Sequence, residues 1–169
     1  GLRLITLAAA ALACGFAAGQ ASAAPTQGTL GATSTGVINI SASVPNRARI
    51  TGLSDVAFTN QDPNTAASNA QNVCVWSNTA TKGYTITASG SGTANAFTLA
   101  NGSLTVPYSV QWAASTGQTT GTALTAATAS AGLVSAATQQ SCSSGPLSAS
   151  LIVNIATTDL GAMQSHTNY

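Results

Sequence analysis

Charged side chains are nearly absent from this chain of 169 residues, which has four lysines and arginines, three acidic residues and one histidine. Its formal net charge of +1 provides no field that would attract phosphate backbones or acidic membranes, so nucleic acid is not an expected partner. Low charge is also typical of disordered segments. Here, however, Thr, Ser, Asn and Gln supply the polarity and alternate with β-branched residues, which favours exposed sheet faces.

Titratable groups are too few and too scattered to suggest a catalytic or metal site. His166 is the only histidine, and the carboxylates of Asp55, Asp62 and Asp159 lie far apart in the sequence. No cluster has zinc-ligand spacing, and no glycine loop stands between a strand and a helix to hold phosphate. Asp159, His166 and one of many serines could be combined into a triad, but abundant serine makes that coincidence uninformative. The sequence predicts no enzyme, no cofactor and no metal.

Long apolar runs are also missing, apart from an alanine-rich run near the start. Residues 1–23 place Arg3 before this run and end with Ala21-Ser22-Ala23, which predicts a signal peptide cleaved before Ala24. Glycine and glutamine interrupt the run before it reaches the length of a membrane span, so a membrane anchor or a buried helix is the lesser alternative. Because the sequence starts without Met, we expect the beginning of the signal peptide to be truncated.

Cysteine occurs three times. Cys14 lies in the signal region after a stretch that faintly resembles a lipoprotein attachment box, so lipidation there is a minor alternative. Cleavage would leave Cys74 and Cys142, and an isolated pair in an exported protein is most simply one disulfide. The alternative is a metal or nucleophile site, although neither cysteine has a histidine or an acidic residue near it in sequence.

Apolar and polar residues alternate strictly ahead of Pro45. Four apolar side chains share one face of an extended chain and three polar ones share the other: Ile38, Ile40, Ala42 and Val44 against Asn39, Ser41 and Ser43. The pattern predicts a half-buried strand over residues 37–45. The preceding residues 24–36 are small, contain glycine and proline and have no apolar period, which predicts a mobile leader.

The rest of the chain is long enough for a single domain with its own core, and it alternates in short segments. Strands are predicted around Ile50 and over residues 56–58, 73–76, 84–89, 96–100, 104–112, 133–134 and 149–155. Loops are predicted over residues 65–72 and most of 117–140, and a turn at Asp62-Pro63-Asn64. Asn101-Gly102 favours a hairpin turn because both residues tolerate positive φ, and Pro107 favours a sheet edge. This spacing, without a convincing helix, indicates an antiparallel sandwich.

The two tryptophans allow two interpretations. Trp76 shares a strand face with Cys74, which predicts packing in the core beside the disulfide. The same interpretation is the preferred one for Trp112, although its sequence pattern supports core packing less strongly than that of Trp76. Exposed aromatic rings on an exported sandwich could instead bind sugars by stacking.

Several segments together resemble a known family. Residues 38–44 (INISASV), followed by a proline, are similar to the amino-terminal strand of fimbrial subunits assembled by chaperone-usher pathways. Residues 83–92 and 97–112 resemble the hairpin of spore-coat-U-like subunits of archaic pili, and residues 145–169 resemble the region before the last strand of such subunits. Colonisation-factor-type pili are the related alternative. Subunits of this family often have a cysteine in or just after the first strand, and here the first strand has none.

The resemblance implies an incomplete immunoglobulin-like β-sandwich that is completed by the leading segment of a neighbouring subunit. Residues 37–169 would form this domain, truncated at its carboxyl end, with the apolar face of residues 38–44 as the donor. The implied partners are neighbouring subunits, a periplasmic chaperone and an outer-membrane usher, with host or surface glycans as further candidates. The implied location is the cell surface, reached through the periplasm. Two rivals are a self-complete carbohydrate-binding module and, less favoured, a secreted hydrolase that uses His166.

Overall fold

The computed structural model describes residues 24–143, 145, 147–163 and 169. The predicted signal peptide, with Cys14, lies outside the described residues, and so do Pro146 and His166. The chain divides into two compact units, Gly1–Val44 and Pro45–Tyr169.

The second unit is all-β and antiparallel, which confirms the predicted fold class at that level. Its nine described strands are β1 (Ala48–Thr51), β2 (Ala67–Ser77), β3 (Gly83–Tyr84), β4 (Thr98–Asn101), β5 (Leu104–Pro107), β6 (Ser109–Ala113), β7 (Thr122–Ala123), β8 (Leu133–Val134) and β9 (Ala149–Ile155). Five of them form one sheet in the order β1-β2-β9-β6-β7, while β3-β8 and β4-β5 form two separate pairs. The helical elements in the described part are a single 3-10 turn over Thr93–Asn95 and the short helix α1 (Thr157–Gly161).

The centre of the larger sheet is β9, which lies between β2 and β6. It pairs with β2 from Ala67↔Ile155 to Val73↔Ala149, and with β6 along its other side. Ala149, Ile152 and Ile155 are fully buried, although Ile152 points to the opposite face from the other two. β9 is therefore buried on both faces, with Ala149 and Ile155 on one side and Ile152 beside the fully buried Ser150 on the other.

Two apolar clusters lie on one face of this sheet. The first joins β2, β9 and β6 to the β3-β8 pair, and its buried members are Val73, Val75, Tyr84, Trp112 and Ala149. The second joins the same sheet to the β4-β5 hairpin and α1, and its buried members are Ala67, Val106, Ile155 and Leu160. Both small strand pairs therefore pack against a single face of the larger sheet.

The structure corrects several predicted elements. Residues 67–72 are the first half of β2 and not a loop, because pairing with β9 holds this polar segment in the sheet. Residues 56–58 form no strand, and Phe58 instead packs on the second cluster. A short helix, α1, follows β9 because Leu160 can be buried there from a single turn.

The region around the predicted hairpin also differs in detail. The strand predicted over 104–112 alternates as expected, but it divides at Tyr108 into β5, which pairs with β4, and β6, which pairs with β9. The turn consists of Gly102 and Ser103, and only Gly102 has positive φ, at 58°. Glycine in the first turn position is typical of type II′ hairpins, so the turn lies one residue later than predicted.

Candidate functional site

The most unusual surface of the described chain is the alternating apolar segment before Pro45. Ile38 is 71% exposed, Ile40 88% and Val44 77%, and Ala42 is exposed as well. Residues 38–44 belong to no strand, so the single chain contains no half-buried strand at this position. The donor assignment concerns burial in a second subunit, and it stays a prediction.

The leader turns back on the beginning of this segment. Thr26 and Val37 exchange two backbone hydrogen bonds of 2.9 Å each, which form an isolated antiparallel bridge. All residues from 24 to 44 are exposed. An isolated two-stranded pairing is at best marginally stable in water, and the bridge leaves the side chains of residues 38–44 exposed.

A second exposed apolar surface lies in the other unit, at the open side of the second cluster. Five large side chains pack against its buried members while remaining partly exposed: Phe58, Leu99, Tyr108, Met163 and Tyr169. We call these five residues the half-open cluster. The ring of Phe97 lies against the ring of Tyr108, a member of this cluster, at a centroid distance of 5.6 Å. Alternation in the sequence predicted strands over residues 96–100 and 104–112, which include Leu99 and Tyr108, but local patterns do not show that four separate segments meet here.

Both sides of the larger sheet end in short strands. At one side, β1 pairs only with Cys74–Ser77 of β2. Beside the first half of β2, the Gln71 side-chain amide instead accepts a hydrogen bond from Ser54 N at 2.7 Å and donates one to Ser54 O at 3.0 Å. At the other side, β7 pairs with only two residues of β6. Edges of this kind offer backbone groups to an added strand.

The predicted disulfide is present between Cys74 and Cys142, with a Cα–Cα distance of 5.9 Å. Cys74 lies on the face of β2 opposite to Val73 and Val75, where it packs with Cys142 and Ala137. The bond therefore fastens the irregular segment before β9 to the second face of the sheet.

The tryptophans occupy different environments. Trp112 is only 4% exposed, and its indole N–H donates to the Tyr84 hydroxyl at 3.2 Å, with the two rings edge to face. Trp76 is partly buried against the disulfide, as predicted. Burial of Trp112 removes one of the two candidate platforms for stacking with sugars.

Buried serine hydroxyl groups just before the start of β9, and from the segment after β8, provide hydrogen bonds to β2 where its pairing with β9 stops. The Ser148 hydroxyl accepts from Val75 N at 2.7 Å and donates to Val75 O at 2.9 Å. The Ser135 hydroxyl also donates to Val75 O and accepts from Ala137 N at 3.0 Å. Within the described residues, every buried side-chain nitrogen and oxygen has a hydrogen-bond partner. Sequence gave no indication of this network, because serine is common throughout the chain.

Little of the described chain is suited to acid–base or metal chemistry. Burial raises the pKa of the Tyr84 phenol, and the hydrogen bond from Trp112 opposes that shift. The hydrogen bond that the backbone N–H of Asn64 donates to Asp62 holds the pKa of that carboxyl below its usual value, in a turn that the sequence predicted. Among residues 24–143, 145, 147–163 and 169, no three His, Cys, Asp or Glu side chains come together as a metal site. The triad with His166 cannot be placed, since that residue is outside the described part.

The described helices include none that is long and apolar enough to cross a membrane. Comparison of the chain with protein families, with curated proteins and with solved structures found no significant match to any of them.

Proposed function

We propose that this chain is a structural, non-enzymatic subunit of a bacterial surface fimbria, exported through the periplasm and polymerised by donor-strand exchange. In this proposal residues 37–45 leave their own subunit and add a strand to an incomplete immunoglobulin-like sandwich in the next one. Because the donor of each subunit enters a different molecule, the contact is head-to-tail and produces an open filament.

The observation that carries the proposal is the exposure of Ile38, Ile40 and Val44. Full burial of an aliphatic side chain is worth about 1.5 to 3 kcal/mol, so burying these three would contribute about 5 to 9 kcal/mol. Backbone pairing with a sheet edge adds to that. An alternating apolar segment without a strand partner therefore has a large free-energy gain available from a second subunit.

The half-open cluster is the acceptor that we propose. Its partly exposed side chains are large and apolar, and they lie over the buried residues that β2, β5 and β9 contribute. The free edge of β1 is a weaker candidate, because Arg49 lies within that strand and Arg47 just before it. Charged residues on an edge strand discourage pairing with further strands.

Two variants separate donating from accepting. Ile40→Asp should prevent donation because a carboxylate would have to enter an apolar groove unpaired. Its matched control, Ser41→Asp, places the same charge on the opposite face of the segment. Leu99→Asp should prevent accepting, and Ala100→Asp is the control on the exposed face of β4.

Each single variant of the secreted full chain should fold, fail to form detergent-resistant ladders and elute as a monomer. Mixing the two variants should restore one contact only, so a one-to-one complex should appear without longer polymers. Both control variants should polymerise normally. Thermal unfolding of the Ile40→Asp monomer should match that of the unchanged chain measured before it assembles, because residue 40 is exposed in the single subunit.

Several results would overturn the proposal. Normal polymers of Ile40→Asp would refute the donor assignment, and so would a loss of stability in its monomer. A one-to-one complex that fails to form on mixing, although both variants fold, would refute the half-open cluster as acceptor. Glycan-dependent quenching of tryptophan fluorescence in a chain that stays monomeric would favour the carbohydrate-binding rival.

A further inference from the structure

The tip of the β4-β5 hairpin combines an asparagine with an unhindered following residue. Asn101 ends β4 and Gly102 begins the two-residue turn, and residues 101–103 are all exposed. Gly102 has a φ of 58°, and no atom lies within 4 Å of the position that a Cβ would occupy there. Asn-Gly occurs only once in the sequence.

We propose that Asn101-Gly102 is a site of spontaneous covalent modification, at which Asn101 becomes aspartate or isoaspartate through a cyclic imide. The Gly102 backbone nitrogen gives up its proton to hydroxide and attacks the Asn101 side-chain carbonyl carbon. A new C–N bond closes a five-membered ring while the bond to the side-chain nitrogen breaks, and that nitrogen takes a proton from water, which regenerates hydroxide, and leaves as ammonia. Water then opens the ring at one of its two carbonyl carbons. No oxidant or reductant is needed.

The residue that follows Asn101 favours this peptide bond, because no other asparagine in the sequence is followed by glycine. Ring closure requires the backbone to rotate about the bonds next to the attacking nitrogen, and glycine allows this because it has no Cβ. Asn64 and Asn78 are both followed by threonine, whose branched side chain hinders the same approach. An exposed turn also admits the hydroxide and water that the two steps consume.

Conversion would alter both the charge and the backbone of the hairpin. Each event adds one negative charge, whereas the lysines, arginines and acidic residues of 24–169 balance. Isoaspartate also inserts a methylene into the main chain at the position that pairs with Leu104. That change would loosen the β4-β5 pair next to Leu99 of the half-open cluster.

The test is a time course of the purified full chain at mildly alkaline pH, followed by digestion with chymotrypsin and mass spectrometry. Asn101 should gain the mass difference between an amide and a carboxyl group at least about tenfold faster than Asn64, as expected when the side chain that raises the barrier is missing. Isoaspartate should appear in the same peptide, and isoelectric focusing should show a new acidic band.

Gly102→Ala is the decisive variant, because the added methyl group meets no other atom and hinders ring closure, although the positive φ at this position strains the turn. It should slow conversion of Asn101 and leave the conversion rate at Asn64 unchanged. The rate at Asn64 is the internal control, because unfolding of the variant would change it. If the variant fails to fold, the same ratio measured in the unchanged chain decides the question. A ratio below tenfold, or the absence of isoaspartate, would overturn the proposal.

Discussion

Removal of the disulfide should destabilise the fold more than any surface change. The bond closes a loop with a sequence separation of 68 residues between Cys74 and Cys142. In the chain-entropy treatment, a loop of this length stabilises the folded state by about 4 kcal/mol, because it restricts the unfolded chain. Replacing both cysteines by alanine should therefore lower the free energy of unfolding by about this amount.

Urea unfolding followed by tryptophan fluorescence measures this change. With a denaturant dependence of about 1 to 3 kcal/mol per molar urea, the midpoint should fall by about 1 to 4 M. The slope should rise, because the unlinked chain exposes more surface when it unfolds. Ser141→Ala, an exposed change next to Cys142, is the control and should leave the midpoint unchanged. A loss below about 1 kcal/mol would refute the reasoning that the long loop dominates.

Three further predictions concern stability. Ser148→Ala should cost about 1 to 3 kcal/mol in urea unfolding, because Val75 N would lose its partner in a buried site; an unchanged midpoint would contradict this. Burial raises the pKa of Tyr84 above its ordinary 10.0, so the contribution of the neutral phenol to stability is complete below pH 10 and is lost as pH rises through the folded-state pKa. The urea midpoint of the unchanged chain should therefore decline in that alkaline range, and Tyr84→Phe should make the decline less steep. An equally steep decline in that variant would contradict the assignment. Gly121→Ala should lower the free energy of unfolding by about 1 to 3 kcal/mol, because the added carbon would lie 2.6 Å from the Trp112 carbonyl group of β6. The control Gly132→Ala meets open space and should be neutral or slightly stabilising. Equal melting temperatures of the two variants would refute this prediction.

Alternation in the sequence predicted much of the second unit. The segments around Ile50, before Trp76 and after Ser148 became β1, part of β2 and β9, and Leu133–Val134 became β8. These segments could be recognised because apolar residues with a period of two have one favourable arrangement, which is to line one face of a sheet. The cysteine pair was also predictable, since a disulfide is the simplest use of two isolated cysteines in a chain that is predicted to be exported.

Features that depend on long-range pairing were not predictable. Residues 67–72 have the composition of a loop, and only the β9 strand beside them makes them part of a sheet. The half-open cluster escaped prediction for the same reason, since Phe58 and Met163 can pack against the same buried residues only after the strands have paired. Local patterns report which face a residue prefers, whereas they do not report which distant segment will cover it.

The pairing of β2 with β9 has a consequence for the order in which the molecule forms. Residue 67 lies opposite residue 155, so the middle of the larger sheet cannot be assembled until the chain has been made as far as β9. Topologies dominated by such distant partners fold slowly, because loop closure must precede the contacts that reward it. During that interval the apolar side chains of β9 face water, and the newly made chain is vulnerable to aggregation. A holding protein that shields β9 until β2 docks would shorten the vulnerable period.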